Sequence, residues 1–118
     1  MGARRWRVRL ASAAQKDYQN ILQWTVDQFG LGQAQAYAET LSDALEDLCA
    51  GPEILGVKAR TDIGPGLHTL HVARKGRKGR HFVMFKVAEL PGEDVIDVLR
   101  ILHDSMDLER HLPVDDVH

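Results

Sequence analysis

The apolar and polar positions of this chain change period several times, and each change predicts an element. From 94 to 102 the residues are almost continuously aliphatic: Val95, Ile96, Val98, Leu99, Ile101 and Leu102. A run this short and this rich in β-branched side chains predicts a strand deep in a sheet. Residues 5–10 alternate instead, with Arg5, Arg7 and Arg9 on one side and Trp6, Val8 and Leu10 on the other. That is the pattern of a half-buried strand. A helical period follows. Ala14, Tyr18, Ile21, Leu22, Thr25 and Phe29 fall on one stripe, and Lys16, Gln19, Gln23 and Asp27 take the wet side. Ser12 with Gln15 three residues on predicts a capping box at the helix start, and Gly30 a left-handed stop at its end. Trp24 lies off the stripe, so it either rests on the next helix or stands exposed for a partner.

The second helix is expected from about 32 to 50, on the stripe Ala34, Tyr37, Ala38, Leu41, Leu45 and Leu48. Gly51 and Pro52 end it. The link between the helices is short, so they form an antiparallel hairpin spanning about 13–50. Residues 53–66 carry turn glycines and no clear period. Strands are then expected at 67–73 and 80–88, joined through the Gly76 and Gly79 turn. In the latter, Val83, Phe85 and Val87 face one way and Phe82 and Met84 the other. With the strand at 94–102 the order is β-α-α-β-β-β. The expectation is a two-layer α+β domain covering 1–118, with the hairpin packed on a mainly antiparallel four-stranded sheet. Thr69, His71, Arg80 and Lys86 are then candidates to line a concave second face. The tail, 103–118, alternates charges with Met106, Leu108 and Leu112.

Composition narrows the class. The chain has 118 residues, enough for one domain with a real core. Its single Cys49 excludes an intramolecular disulfide and fits a reducing compartment. No long apolar run or secretory segment is visible, so a cytoplasmic protein off the membrane is expected. The formal net charge of -2 hides segregation: residues 54–88 hold eight cations against Asp62 alone. Such a stretch suits either an acidic partner or a solvated face. No metal site or cofactor is expected. His68 and His71 point to opposite sides of a strand, no ligand set accompanies a His68–His81 pair, and no dinucleotide or phosphate-loop glycine spacing occurs.

Three stretches carry a family resemblance. They are Val8–Leu10 followed by residues 12–17, the entry Pro65-Gly66-Leu67-His68-Thr69-Leu70, and above all residues 98–112, with Arg100-Ile101-Leu102-His103 followed by Met106-Asp107-Leu108. Together they resemble the RelE/ParE superfamily of type II toxins, closest to the ParE branch. The resemblance implies a growth-inhibiting, plasmid-stabilising type of bacterial toxin, held in a hetero-oligomer by a ParD-like antitoxin. ParE-type members are understood to poison DNA gyrase, and RelE-type members to cleave mRNA on the ribosome.

The residues weigh these two activities differently. A metal-free ribonuclease needs groups to activate a hydroxyl, stabilise phosphate charge and protonate a leaving oxygen. Lys58, Arg60, Arg80 and His103 are the available set, but no tyrosine follows Tyr37, and Asp104, Asp107 and Glu109 would repel phosphate. The preferred expectation is therefore a toxin without a catalytic set, acting by binding. Its target surface is expected at Arg74, Lys75, Arg77 and Lys78 together with His103, Met106, Asp107, Leu108 and Arg110. Its antitoxin surface is expected at Trp24, Arg60, Arg80, Phe82 and Lys86. An inactive homologue that serves only in autoregulation with its antitoxin is the third reading.

Overall fold

The computed structural model describes residues 5–105. Strand β1, Arg7–Leu10, leads directly into helix α1, Ser12–Phe29, and Gly30 alone separates it from helix α2, Leu31–Asp47. A single 3-10 turn, Leu48–Ala50, ends the helical layer. Strands β2, Lys58–Ala59, β3, His68–His71, β4, His81–Val87, and β5, Val95–His103, complete the fold.

The helix boundaries follow the apolar periods to within a residue or two, but the expected capping box is not used. Ser12 is the first helical residue, Ala11 occupies the cap position, and no side chain caps it. The Gln15 amide donates instead to the Leu10 carbonyl at 3.0 Å, fastening the helix to the end of β1. Gly30 takes φ +93, which a residue without a Cβ adopts at little cost, and its N–H closes on the Val26 carbonyl at 2.9 Å. Two helices joined by one residue must fold back on each other.

The sheet has five strands, one more than expected, in the order β1-β5-β4-β3-β2. The additional strand, β2, is two residues long and pairs antiparallel with β3. So short a segment carries no readable period. β3, β4 and β5 form the expected antiparallel meander, whereas β1 lies parallel to β5, with Arg7 opposite Val95 and Leu10 opposite Val98. The connection between them, which runs through both helices and three strands, is long enough to permit that direction.

The helices bury Ala14, Leu41, Ala44 and Leu48 against Leu70, Val72, Val83, Phe85, Ile96, Val98 and Ile101 of the sheet. Full burial of each larger side chain contributes about 1.5–3 kcal/mol, so this face holds most of the fold. The register shifts at Met84/Phe85, where the residues opposite step from Arg100 to Val98 and leave Leu99 unpaired. Val87, on the same side as Val83 and Phe85 and opposite the buried Ile96, is exposed near the end of β4.

The opposite face corrects a second expectation. It is not an open polar concavity. Ile63 and Leu67, from the segment before β3, pack with Met84 and Leu102 into a smaller apolar cluster flanked by Phe82 and Leu99. Thr69 is buried there at 1% exposure, while Lys86 remains exposed. Polar groups on this face gather at the strand ends.

Candidate functional site

Three adjacent strands each bring a histidine to one end of the sheet. His71 ends β3, and His81 opens β4 directly opposite His103 at the end of β5. The His81 and His103 rings meet edge to face with centroids 5.2 Å apart. Tyr37 reaches this end from α2. Its hydroxyl accepts from the Arg80 N–H at 3.0 Å and is hydrogen-bonded to His81 Nδ1 at 2.6 Å. One phenol thereby satisfies the start of β4, a use that the helical stripe alone does not reveal.

The neighbouring groups define the proton positions. Ala73 N–H donates to His71 Nδ1 at 3.0 Å, so the ring proton sits on Nε2 and is donated to Asp104 Oδ2, also at 3.0 Å. Ser105 N–H donates to His103 Nδ1 at 3.1 Å, and the Ser105 hydroxyl lies 2.7 Å from the same nitrogen. Arg80 Nε completes the group by donating to Asp104 Oδ1 and Oδ2 at 3.1 and 3.2 Å. The hydrogen bond from His71, with further help from Arg80, holds the Asp104 carboxyl below the usual carboxylate range. Burial pushes the Tyr37 phenol up. Burial, then the neighbouring His103, pushes His81 down to about 4. In His71 and His103 Nδ1 is committed as an acceptor, and in His81 it is engaged by the Tyr37 hydroxyl. This is a network that ties strand ends together.

The His81 shift has a measurable consequence. Between pH 6.5 and about 4 the unfolded chain binds a proton at His81 that the folded chain resists. The His81 contribution to stability is therefore complete above pH 6.5 and falls as the pH drops toward 4. The ring is only partly buried, so solvent screening reduces the effect to about 1–2 kcal/mol. Urea unfolding at pH 7 and pH 4.5 should show this loss, and a His81→Gln variant should lack it. An equal loss in that variant would exclude His81 as its source.

The residues expected to act together are dispersed and neutralised. In the basic turn, Lys75 and Gly76 both have positive φ, 52 and 81, and the Arg77 N–H closes on the Arg74 carbonyl at 2.9 Å, a type I′ pattern. That turn folds back on α2. Arg74 Nε and Lys75 Nζ each donate to Asp47 at 3.1 Å, Arg74 Nη1 donates to the Leu55 carbonyl at 2.6 Å, and Arg77 pairs with Asp43. Burial alone would raise the Asp47 carboxyl, but the bonds from Lys75 and Arg74 together hold it low. Arg74 is only 16% exposed. The turn is thus a basic patch in sequence and a mixed ion-pair cluster in space, with Lys78 exposed beside it.

Arg60 forms a bidentate pair with Asp62 at 3.0 and 2.9 Å. Lys58 is exposed opposite Thr69, whereas Arg80 precedes the Phe82–His71 pair. The Lys58 and Arg80 positions are therefore offset by four residues along the strands, roughly 13 Å. Of the proposed antitoxin contacts, Phe82 lies part-buried beside His71 on the face away from the helices, and Lys86 is exposed on β4. Trp24 stands on the helical layer, 57% exposed. The target-binding candidates Met106, Asp107, Leu108 and Arg110 fall outside the described residues. Among the described residues, no three His, Cys, Asp or Glu side chains are arranged to hold a metal ion, and no helix is long and apolar enough to cross a membrane.

Comparison with known proteins places this arrangement. The family model for the ParE toxin of the type II toxin-antitoxin system parDE matches residues 8–108. The chain belongs to the ParE toxin family. Toxin ParE1 of Mycobacterium tuberculosis, from strains CDC 1551 / Oshkosh and ATCC 25618 / H37Rv, is 36% identical over 103 residues, covering 87% of this chain and 94% of the relative. Two solved structures share the fold of this ParE-family chain. One is titled as a chromosomal ParDE TA system from P. aeruginosa (TM-score 0.66, 18% identity, 85% of this chain and 97% of that one). The other is the toxin-antitoxin complex RelBE2 from Mycobacterium tuberculosis (TM-score 0.55, 17% identity, 84% and 98%). This ParE-family chain is thus a type II toxin of the ParE/RelE type, as the stretch at 98–112 implied, and its two-layer α+β fold is theirs.

Proposed function

We propose that this ParE-family toxin acts by binding DNA gyrase and trapping its DNA-cleaved state, without chemistry of its own, and that a ParD-like antitoxin neutralises it. One observation carries the choice over an RNA-cleaving activity. Arg60 and Arg80 are each bound by a carboxylate of their own chain, Asp62 and Asp104, and Lys58 lies on a different part of the sheet from Arg80. A phosphate approaching Arg60 or Arg80 meets a cation that is already paired. Transition-state stabilisation requires donors aimed at the developing charge, and these are aimed at internal carboxylates.

The antitoxin reading rests on the exposed Lys86 and Lys58 and the part-buried Phe82 along the same sheet, a surface suited to an extended segment carrying acidic and apolar side chains. Trp24 projects from the other layer, so a single partner covering both Trp24 and Phe82 must wrap around an edge of the sheet. Such wrapping suits a segment that orders on binding.

The test is supercoiling of relaxed plasmid by gyrase in the presence of purified toxin. The expected result is lost supercoiling together with linear plasmid released on denaturing the enzyme. Normal supercoiling at excess toxin, with arrest of a cell-free translation reaction by the same sample, would overturn the proposal in favour of the ribosome. Removal of residues 106–118 should abolish the gyrase effect. That cut, unlike one made at His103, leaves Asp104 in place to hold His71 and Arg80.

A further inference from the structure

The tip of the helical hairpin is the surface that neither the ion-pair clusters nor the sheet accounts for. Trp24, Phe29 and Leu31 are 57%, 65% and 63% exposed there. The Trp24 and Phe29 rings touch edge to face, with centroids 5.8 Å apart and planes at 72°, so they form one preorganised surface. Gln28, Gln33 and Gln35 of the same helix ends are exposed as well, and Gln23 is bonded to Asp27 at 3.0 Å. From Tyr18 to Ala38 the only ionisable side chains besides the two tyrosines belong to Asp27. The rest of the helical layer and the basic turn are dense with charge.

We infer that this tip is a self-association surface whose partner is the same tip of a second copy of this chain. The charge pattern selects that occupant. An acidic or nucleic-acid partner would find no cation at the tip, and a basic partner a single carboxylate. A second tip brings an equally uncharged apolar surface, and a two-fold contact makes the patch complementary to itself without any further feature. Its amide rim can bond across the axis, since each glutamine carries both donors and an acceptor.

The area sets the strength. A large side chain fully exposed offers about 150–250 Å², so the three present roughly 300–400 Å² per copy at these exposures. A pair buries about 600–800 Å² before the rim is counted, below the roughly 1,200 Å² of a stable standard interface. The dimer is therefore weak and concentration-dependent. An antitoxin segment that covers Trp24 would compete with this contact, so the association belongs to the free toxin.

Sedimentation equilibrium of the full chain from 10 µM to 2 mM tests this directly. The expected result is a weight-average mass rising toward twice that of one chain for wild type. Trp24→Glu should stay at one chain throughout, with its thermal midpoint unchanged because the side chain is exposed. Gln35→Glu, on the rim, should weaken association severalfold without abolishing it. A wild-type mass that stays at one chain up to 2 mM overturns the inference, as does a Trp24→Glu variant that associates like wild type. This readout is independent of gyrase and antitoxin, so its failure leaves the proposed function standing, and the reverse also holds.

Discussion

Replacing Asp17 with alanine is expected to destabilise the fold by about 3 kcal/mol. Asp17 lies in the first turns of α1, and its carboxylate does three things. Oδ1 accepts from Arg100 Nη2 at 2.9 Å, and Oδ2 accepts from Arg100 Nε at 2.7 Å and from the Ile101 N–H at 2.9 Å. The pair is largely shielded, with the Asp17 side chain 15% exposed. It sits beside the register shift in β5, where the ladder cannot serve every N–H. Alanine leaves the Ile101 N–H without its acceptor and removes a two-point, charge-assisted bond from the part-buried Arg100, and a shielded polar group deprived of its partner costs far more than the intact bond contributes. For a chain of this size the loss should lower the thermal midpoint by roughly 10–15 °C. Asp17→Asn keeps an acceptor for Ile101 and should lose about half as much. Urea midpoints of the two variants decide the matter. An alanine variant within 1 kcal/mol of wild type would show that the pair contributes little to the fold.

A comparable loss, about 2–4 kcal/mol, is expected from Gly79→Ala. A Cβ at position 79 would lie 2.5 Å from Val72 Cγ2, 3.0 Å from the Tyr37 hydroxyl and 3.1 Å from Tyr37 Cε1. Val72 is buried in the main core and β-branched, so it cannot turn aside. Tyr37 can yield only by giving up its bonds to His81 and the Arg80 N–H. The glycine is required for close approach and not for a left-handed backbone. Gly76→Ala is the control. Gly76 has φ +81 but open space around the site, so that change should cost only about 1 kcal/mol of backbone strain. Calorimetry of both variants separates the effects. If Gly79→Ala is no worse than Gly76→Ala, the packing of Tyr37 against the start of β4 is looser than drawn here. His81 should report the same displacement through its ring NMR resonances, since its Nδ1 loses the Tyr37 hydroxyl.

Charge shows most clearly what could not be read from a linear chain. The stretch from 74 to 78 is strongly basic in sequence and is expected to form part of a target-binding surface. Its counterions, Asp43 and Asp47, lie about thirty residues earlier on α2, and only the packing of helix and turn brings them within reach. Asp104 likewise looked like a repulsive group beside a candidate acid. In space it is the carboxylate that joins His71 of β3 to Arg80 at the head of β4. Coulomb energy depends on separation in space, which local composition does not report.

Local periodicity, by contrast, carried through. The stripes through Ala14 and Leu41 predicted two helices, the alternation at 5–10 a half-buried strand, and the aliphatic run at 94–102 a strand deep in the sheet. Each depends on one element presenting one face to one core, and the spacing of side chains along the chain determines that face. The block at 98–112 further identified the family. Tertiary structure alone decided the parallel pairing of β1 with β5, the two-residue β2 and the apolar cover of the second face by Ile63 and Leu67. It also decided that Phe29 faces solvent beside Trp24 instead of joining the core stripe. All of these depend on which distant segments the folded chain brings side by side. A hydrophobic period says that a face must be buried, while the partner that buries it is selected by the return path of the chain and by the shapes that meet there.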